Sequence, residues 1–294
     1  MAKSLKNFTS DIRLVGRNPV KINETDLLFK ADLTNREQVF EAVKGSSIAY
    51  VVIGFEYTTK VWKALWPDFI QNVVDACVEH QVKLVFFDNV YAIGGDNVKH
   101  ITEESPISPT SEKGEIRAQV DKIVLEAMKN RQLQAIIARA PDFFGPIKEK
   151  SMLMNLVYDN LVKGKTAQWL CSSEKIHSMG YTPELAKATA LLGNTDSAYN
   201  QIWNLPTDKP LTAKEWTKIF AKEMNTNDKV MSLPAWGAKL LGIFVPIMGE
   251  IHEMLYQFDR DYYFDSTKFQ NAFGYKPISN EQAVKETLKA LISK

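Results

Sequence analysis

The chain has 294 residues, of which 45% are apolar and 24% are charged, and its formal net charge is +1. A balanced charge gives no electrostatic reason to expect a nucleic-acid or membrane-surface partner. The length allows a large domain with a smaller lobe.

Cysteine use and the chain start bear on the compartment. Cys77 and Cys171 stand alone, without the C-x-x-C spacing of metal or redox sites, so we expect reduced thiols. The N-terminus lacks the apolar core of a signal peptide. The most apolar run, residues 240–248, is too short to span a bilayer and contains a proline. We therefore expect a cytoplasmic protein.

The first half of the chain alternates strands with helices. Residues 1–8 resemble the tail of a helix. Apolar runs predict strands at 11–17, 27–33, 48–54, 83–88 and 134–139. Helical spacing predicts helices at 35–43, 66–80 and 114–129. This alternation is typical of parallel βαβ units, and it predicts an α/β fold with a doubly wound, Rossmann-like parallel sheet.

The rhythm changes after Gly145-Pro146. Predicted helices then occupy residues 152–163, 183–192, 212–224, 265–273 and 280–291, and short extended pieces lie at 167–170 and 202–205. Thr212 and Glu215 have the spacing of a capping box. We expect residues 1–146 to form a dinucleotide-binding domain. Residues 147–294 should form a mostly helical substrate lobe, interleaved with the last sheet strands.

A doubly wound sheet ordinarily begins with a strand and a Gly-rich turn that holds a pyrophosphate at a helix N-terminus. The sequence contains no G-x-G-x-x-G or G-x-x-G-x-x-G. Either the start lies upstream of Met1, which we favour, or the element is lost. Without a central strand, two sheet edges carry unpaired backbone groups at a cost of about 1–3 kcal/mol each. We expect the chain to fold poorly unless another segment fills this gap.

Polar residues follow the first two predicted strands. Arg17 and Asn18 come where the adenosine ribose lies in such folds, and an arginine there accommodates a 2′-phosphate. We therefore expect NAD or NADP, with a slight preference for NADP; a solvated surface arginine is the alternative. Asp32 and Leu33 close the next strand. Asp32 is expected to accept from the adenine amino group. The alternative is that Asp32 or Thr34 caps the following helix, and both roles can hold at once.

The loop after the third predicted strand lies at the ligand-binding end of the sheet. Gly54 would let a ligand approach the backbone closely, with a simple turn as the alternative. Phe55 is assigned to the cofactor and Tyr57 to the substrate. Asp88 ends the fourth strand and Asn89 follows it. Asp88 is a candidate general base, and the alternative is that Asp88 and Asn89 only stabilise the following turn.

Several blocks occur in an order and spacing that resemble one known family, and they cover nearly the whole chain. They are residues 85–95, 102–106, 113–118, 139–146, 181–186 and 273–277. This set is similar to the NAD-dependent epimerase/dehydratase family of extended short-chain dehydrogenases/reductases. The resemblance implies NAD(P)-linked oxidoreductase or epimerase chemistry on a small hydroxyl- or carbonyl-bearing metabolite. It also implies a homodimer formed through a helix pair.

The resemblance assigns further residues to the site. Asn89 and the turn Pro141-Asp142-Phe143 would contact the cofactor, and Tyr91 would flank the substrate. His177 and Tyr181 would lie in the substrate lobe, although a lone histidine is more often structural.

Two departures from the family pattern bear on activity. The catalytic Tyr-x-x-x-Lys is absent, because Thr110 and Gly114 stand at its two positions, and Phe87 replaces the usual Ser or Thr. A threonine hydroxyl is too weak an acid to replace the tyrosine. Asp88, Tyr91 and Lys113 are then the candidate catalytic residues, with a surface position at a helix start as the alternative for Lys113.

The sequence shows no metal-ligand spacing. A non-catalytic sensor that binds NAD(P) or a metabolite is the alternative function, and an inactive fragment is a third interpretation.

Overall fold

A computed structural model describes residues 1–147, 150–237 and 246–292. Within them the chain forms two compact units. The first comprises residues Met1–Asp88, Glu115–Arg139 and Ala186–Trp203. The second comprises Asn89–Gly114, Ala140–Leu185 and Asn204–Lys294. The division is therefore more interleaved than a single cut at residue 146. Residues 240–245 of the apolar run lie outside the described residues.

The first unit contains the strand–helix alternation. Its strands are β1 (Arg13–Gly16), β2 (Leu27–Lys30), β3 (Ile48–Val51), β4 (Lys83–Asp88), β5 (Ala135–Arg139) and, later in the chain, β10 (Gln201–Asn204, whose last residue belongs to the second unit). Its helices are α1 (Ala2–Leu5), α2 (Arg36–Val43), α3 (Thr59–Glu79), most of α4 (Glu112–Asn130) and most of α6 (Thr182–Gly193).

The strands form two sheets. One has the order β10–β5–β4–β3, with β3, β4 and β5 parallel. The other pairs β1 with β2 in parallel, from Arg13 opposite Leu27 to Gly16 opposite Lys30. Among the described residues no strand joins β1 to β3. The sheet is thus interrupted where the missing strand was expected.

Burial follows this interruption. All five residues of β5 are buried, and so are Leu84, Val85 and Phe86 of β4. In contrast every residue of β1 is half-buried, and Leu27 on β2 is 61% exposed. β4 and β5 are the most buried of these strands, so the apolar core of the first unit lies around them. Apolar burial of this kind supplies most of the folding free energy.

Element ends differ from the sequence-based predictions by a few residues. β3 ends at Val51 rather than Gly54. Helix α3 begins at Thr59 instead of Trp66, with the Thr58 side chain accepting from the Val61 N–H as its N-cap. Trp62 lies one helical turn before Trp66, and both side chains are buried. Their packing favours a helix that begins before Pro67, at Thr59.

The second unit holds short strands and helices. Its strands are β6 (Phe143–Phe144), β7 (Ala167–Leu170), β8 (Ile176–His177), β9 (Gly180–Tyr181), β11 (Leu211–Thr212) and β12 (Val230–Leu233). Its helices are α5 (Asp159–Val162), preceded by a π-helical turn at Met154–Tyr158, α7 (Ala213–Met224), α8 (Pro246–His252), α9 (Thr267–Phe273) and α10 (Asn280–Ile292). The strands pair two by two: β6 with β9, β7 with β12, and β8 with β11.

The predicted capping box is present at the start of α7. The Thr212 hydroxyl oxygen accepts from the Glu215 N–H at 3.2 Å, and the Glu215 carboxylate accepts from the Thr212 N–H at 2.8 Å. Trp216 and Phe220 on the same helix are fully buried. The cap therefore fixes the start of a helix whose apolar face belongs to the core.

Two further features of the described residues are the state of the cysteines and the length of the helices. Cys77 and Cys171 are both free, as expected. None of the helices in the described ranges is long and apolar enough to cross a membrane.

Replacing Thr212 with alanine should lower the free energy of unfolding by about 1 kcal/mol, because the first turn of α7 loses a cap. Urea denaturation measures this change. Lys218→Ala, on the exposed side of the same helix, is the matched control and should stay within about 0.5 kcal/mol of the parent. Equal effects from the two substitutions would show that the cap does not stabilise the helix.

Candidate functional site

The ends of β1 and β2 carry exposed polar residues in the first unit. Arg17 and Asn18 follow β1 and are exposed, and Asp32 follows β2 and is also exposed. Hydrogen bonds from the Thr34 N–H and hydroxyl, at 3.0 and 2.8 Å, hold the pKa of Asp32 below its ordinary value. The positive charge of Arg17 lowers it further. The structure therefore brings Arg17 and Asp32 within electrostatic reach of each other, as expected from adjacent parallel strands.

The expected capping role of Asp32 or Thr34 is wrong. Asn35 is the N-cap of α2, and its side-chain oxygen accepts from the Gln38 N–H at 3.0 Å. Asp32 instead binds Thr34 within the preceding turn, because an aspartate one turn too early reaches its own loop and not the helix. Leu33 between them is half-buried.

The loop after β3 mixes exposed and packed residues. Gly54 is exposed. The Phe55 ring packs edge-on against Trp66 and Phe69, with ring centroids 4.9 and 5.6 Å apart. The Tyr57 ring meets Trp62 edge-on at 5.5 Å. Both aromatic residues predicted for this site therefore pack on α3.

Asp88, the candidate base, ends β4 inside the first unit. It is 1% exposed, and its Oδ1 accepts from the Arg117 guanidinium, which is 2% exposed on α4. The guanidinium carbon also lies 4.4 Å from the Trp66 ring centroid and 5.0 Å from that of Phe86. Asp88 is thus a buried ion-pair partner of Arg117.

Asp121 and Arg139, which were not among the predicted site residues, form a second buried ion pair beside Asp88 and Arg117. Arg139 ends β5 in register opposite Asp88, and its Nη2 donates to Asp121 Oδ2 at 3.0 Å. Asp121 and Arg139 are each 1% exposed. Burial, and then the charge of Asp88, raises the pKa of Asp121 to about 8. We call Asp88, Arg117, Asp121 and Arg139 the buried charge cluster.

A signal for the buried charge cluster exists in the sequence. Two neighbouring apolar strands each end in a charge, Asp88 and Arg139, and the charges are opposite. Arg117 and Asp121 are spaced four residues apart, so they lie on one helix face. Pairing between these positions follows only once the strands are known to be parallel neighbours.

Asn89 and Tyr91 begin the second unit. The Asn89 side-chain oxygen accepts from the Tyr91 N–H at 3.0 Å, so Asn89 stabilises the turn. This confirms the alternative proposed for that position. Tyr91 is half-buried.

Thr110 and Gly114 stand at the two positions of the family's catalytic pair, and both lie against backbone atoms. At the tyrosine position, the Thr110 hydroxyl accepts from the Gly95 N–H at 3.2 Å. At the lysine position, a Cβ on Gly114 would lie 2.5 Å from the Tyr91 carbonyl oxygen. The backbone therefore leaves no room for a lysine side chain at 114.

Lys113 is not a surface residue, so that alternative is wrong. It is 0% exposed, and its Nζ donates to Glu250 Oε2 at 2.5 Å and to Glu253 Oε1 at 2.8 Å. Nζ also donates to the Glu250 carbonyl at 3.0 Å. The ammonium therefore ties the start of α4 to α8 and its following turn. No local pattern indicates these partners, which lie 137 and 140 positions away in the chain.

Asp142 and His177 come together in the second unit. His177 Nε2 lies 2.9 Å from Asp142 Oδ2, and the His177 side chain is 2% exposed while that of Asp142 is 20% exposed. The imidazole stacks on Phe258 and Tyr262, with ring centroids 4.7 and 4.4 Å apart. Stacking on two rings fixes its orientation, so the pair is held in one geometry.

Tyr181, a predicted substrate residue, is 7% exposed, and its hydroxyl donates to Glu286 Oε2 at 3.2 Å. Burial, and then the charge of Glu286, raises the pKa of Tyr181 to about 12. In the turn after β5, Pro141 is buried and Phe143 is half-buried on β6, which pairs with β9.

The structure therefore joins Arg17 with Asp32 and Asp142 with His177, and it gives Asp88 and Lys113 buried ionic partners. Polar residues at the carboxyl ends of parallel strands, with crossover helices, define a Rossmann-like α/β protein. The chain belongs to the NAD dependent epimerase/dehydratase family, whose model matches residues 1–205.

One curated relative is "Uncharacterized protein y4nL" from Sinorhizobium fredii (strain NBRC 101917 / NGR234). It is 23% identical over 189 residues, which cover 60% of this chain and 52% of the relative. The chain thus matches about half the length of this relative.

Solved structures share the fold at low identity. A dTDP-glucose 4,6-dehydratase from Streptomyces venezuelae, solved with NAD and TYD bound, has a TM-score of 0.80 at 16% identity, covering 99% of this chain and 91% of that one. A UDP-glucuronic acid 4-epimerase from Bacillus cereus, solved in complex with NAD, has a TM-score of 0.79 at 11% identity, covering 99% and 95%. These similarities establish the fold.

Replacing Lys113 with methionine should lower the free energy of unfolding by about 3 kcal/mol, because two partly buried carboxylates lose their cation. Urea denaturation at neutral pH measures the loss. Lys122→Met removes an exposed partner of Glu126 and should cost less than about 0.5 kcal/mol. A loss below about 1 kcal/mol for Lys113→Met would contradict the importance of this ionic contact.

Proposed function

We propose that this protein binds a nicotinamide dinucleotide and acts as an oxidoreductase or epimerase on a small metabolite with a hydroxyl or carbonyl group. The observation that carries the proposal is the placement of Arg17 and Asp32 at the ends of neighbouring parallel strands in a chain of this family. Exposed groups at such strand ends are where dinucleotides bind in doubly wound sheets. The NAD reported in two of the similar structures supports the same cofactor class.

The residues present fit the adenosine end of the cofactor. Arg17 is exposed and carries a guanidinium suited to a 2′-phosphate, which favours NADP. Asp32 keeps its carboxylate charged and exposed, as an acceptor for the adenine amino group requires. The 294 residues contain no Gly-rich turn for the pyrophosphate. When bound, the nicotinamide would supply the hydride chemistry.

Asp142 is the group that we assign to proton transfer at the substrate. Its carboxylate is partly exposed, whereas the candidates Asp88 and Lys113 are buried in ion pairs. His177 holds Oδ2 through Nε2, which leaves Oδ1 to exchange a proton with a substrate hydroxyl. Tyr91 remains a candidate for contact with the substrate. A homodimer also remains a prediction.

A binding protein without catalysis is the second candidate function. It is favoured by the contact between Gly114 and the Tyr91 carbonyl, which leaves no room for the family's lysine, and by the ionic partners of Lys113. In this case the protein would hold a dinucleotide or metabolite and act as a sensor.

Binding of NADPH and NADH to the full chain, followed by nicotinamide fluorescence, tests the cofactor assignment. Arg17→Ala should weaken NADPH binding about tenfold, a loss of about 1.4 kcal/mol, and leave NADH binding unchanged. Lys122→Ala is the control for loss of one exposed positive charge. No binding of either dinucleotide by the parent chain would overturn the proposal.

The two functions separate on the near-ultraviolet absorbance of the reduced nicotinamide. An enzyme changes this absorbance with at least one alcohol, ketone or sugar, and Asp142→Asn should then reduce kcat at least about a hundredfold, the usual effect of losing a general acid or base. A sensor binds the dinucleotide and leaves its absorbance constant with every compound of such a panel.

A further inference from the structure

The buried charge cluster is independent of the cofactor assignment. Two carboxylates and two guanidiniums, all at most 2% exposed, lie where β4 and β5 end against α4. Each carboxylate has one oxygen bound to an arginine: Asp88 Oδ1 to Arg117, and Asp121 Oδ2 to Arg139. Buried charges are stable only when paired in this way.

The other oxygen of each carboxylate has no donor. Asp88 Oδ2 and Asp121 Oδ1 are both buried, and neither accepts a hydrogen bond from any described residue. The two carboxyls belong to one packed cluster, because Arg139, which binds Asp121, lies in register opposite Asp88. Two ionised carboxylates cannot hydrogen-bond to each other, because neither has a proton to donate. One proton between them would satisfy both oxygens at once.

We propose that Asp88 and Asp121 share one proton at neutral pH, and that loss of this proton in alkaline solution loosens the ends of β4 and β5. This makes the cluster a pH-sensitive latch. Asn89 and Ala140 directly follow the two strand ends along the chain.

The surrounding charges determine the direction of the pH effect. The groups that act on Asp121 are Asp88 on β4, Arg139 on β5 and Arg117 on its own helix α4. Burial is the largest influence and favours the neutral carboxyl, Asp88 favours it too, and the two arginines oppose it. Burial prevails, because the pKa of Asp121 is raised to about 8.

The sign of the stability change follows from linkage. An aspartate in an unfolded chain has a pKa of about 4. Between about pH 4 and pH 8 the folded protein therefore holds a proton that the unfolded chain has released. Its contribution to stability is complete below this window and is lost as the pH rises through it. Each pH unit in the window shifts the folding equilibrium constant by up to about tenfold.

Infrared spectroscopy of the full chain with ¹³C-labelled aspartate detects the shared proton directly. The parent protein should show the band of a protonated aspartate at about pH 6 and lose it by about pH 10. The label separates this band from that of Glu103, whose pKa burial also raises. No protonated aspartate at about pH 6 would overturn the proposal.

Two variants assign the band. Asp121→Asn removes the protonated group, so the band should disappear. In Asp88→Asn, Asp121 stays buried but loses the neighbouring charge of Asp88, so the band should be lost at a lower pH than in the parent. Asp196→Asn, at an exposed ion pair with Lys83, is the control and should behave as the parent does. Persistence of the band in a folded Asp121→Asn variant would overturn the proposal. If that variant does not fold, an unchanged pH dependence of the band in Asp88→Asn would overturn it instead.

The effect of the proton on the ends of β4 and β5 is measured by the unfolding midpoint and by amide hydrogen exchange. The unfolding midpoint of the parent should fall between about pH 6 and pH 9, while that of Asp121→Asn should change much less. Amides in residues 84–92 and 135–144 should exchange faster at the higher pH in the parent, after correction for the intrinsic rate. Unchanged protection there would show that the proton does not control the strand ends.

Discussion

Parallel pairing of β4 with β5 is the constraint on which the first unit depends. The carboxyl ends of parallel neighbours meet at one edge of a sheet, so the residues that end the two strands are forced together. In this register Asp88 lies opposite Arg139. Helix α4 covers the same place with Arg117 and Asp121. One pairing thus accounts for the deepest burial in the first unit and for the buried charge cluster.

Burying a charge costs free energy, so a buried charge requires an oppositely charged partner in a defined position. A buried ion pair adds little net stability over well-packed apolar residues, but loss of one partner leaves an uncompensated charge. Here two such pairs lie side by side, and Trp66 and Phe86 cover one guanidinium. Each pair joins one strand to α4, so a slip of β4 against β5 would separate at least one of them.

In the second unit, the two positions that the family resemblance assigns to a catalytic pair make packing contacts. Thr110 binds the backbone of Gly95, and Gly114 lies against the Tyr91 carbonyl. The neighbouring cation, Lys113, is neutralised by two glutamates. Asp142 in the same unit contacts His177, whose ring stacks on Phe258 and Tyr262. The packing of this unit therefore forms without a tyrosine at 110 or a lysine at 114.

The sequence by itself determined the features that arise from neighbouring residues. The strand at 83–88, the alternation of strands and helices, the capping box at Thr212 and the gap in the sheet all follow from periodicity, caps and missing motifs, which are local. Only the tertiary structure decided the partners. Asp88 was expected to face a ligand and pairs with Arg117, and Lys113 was considered for the surface and is buried between Glu250 and Glu253. Such contacts join residues from 29 to 140 positions apart. They depend on strand register and on helix packing, and no local pattern of residues encodes these.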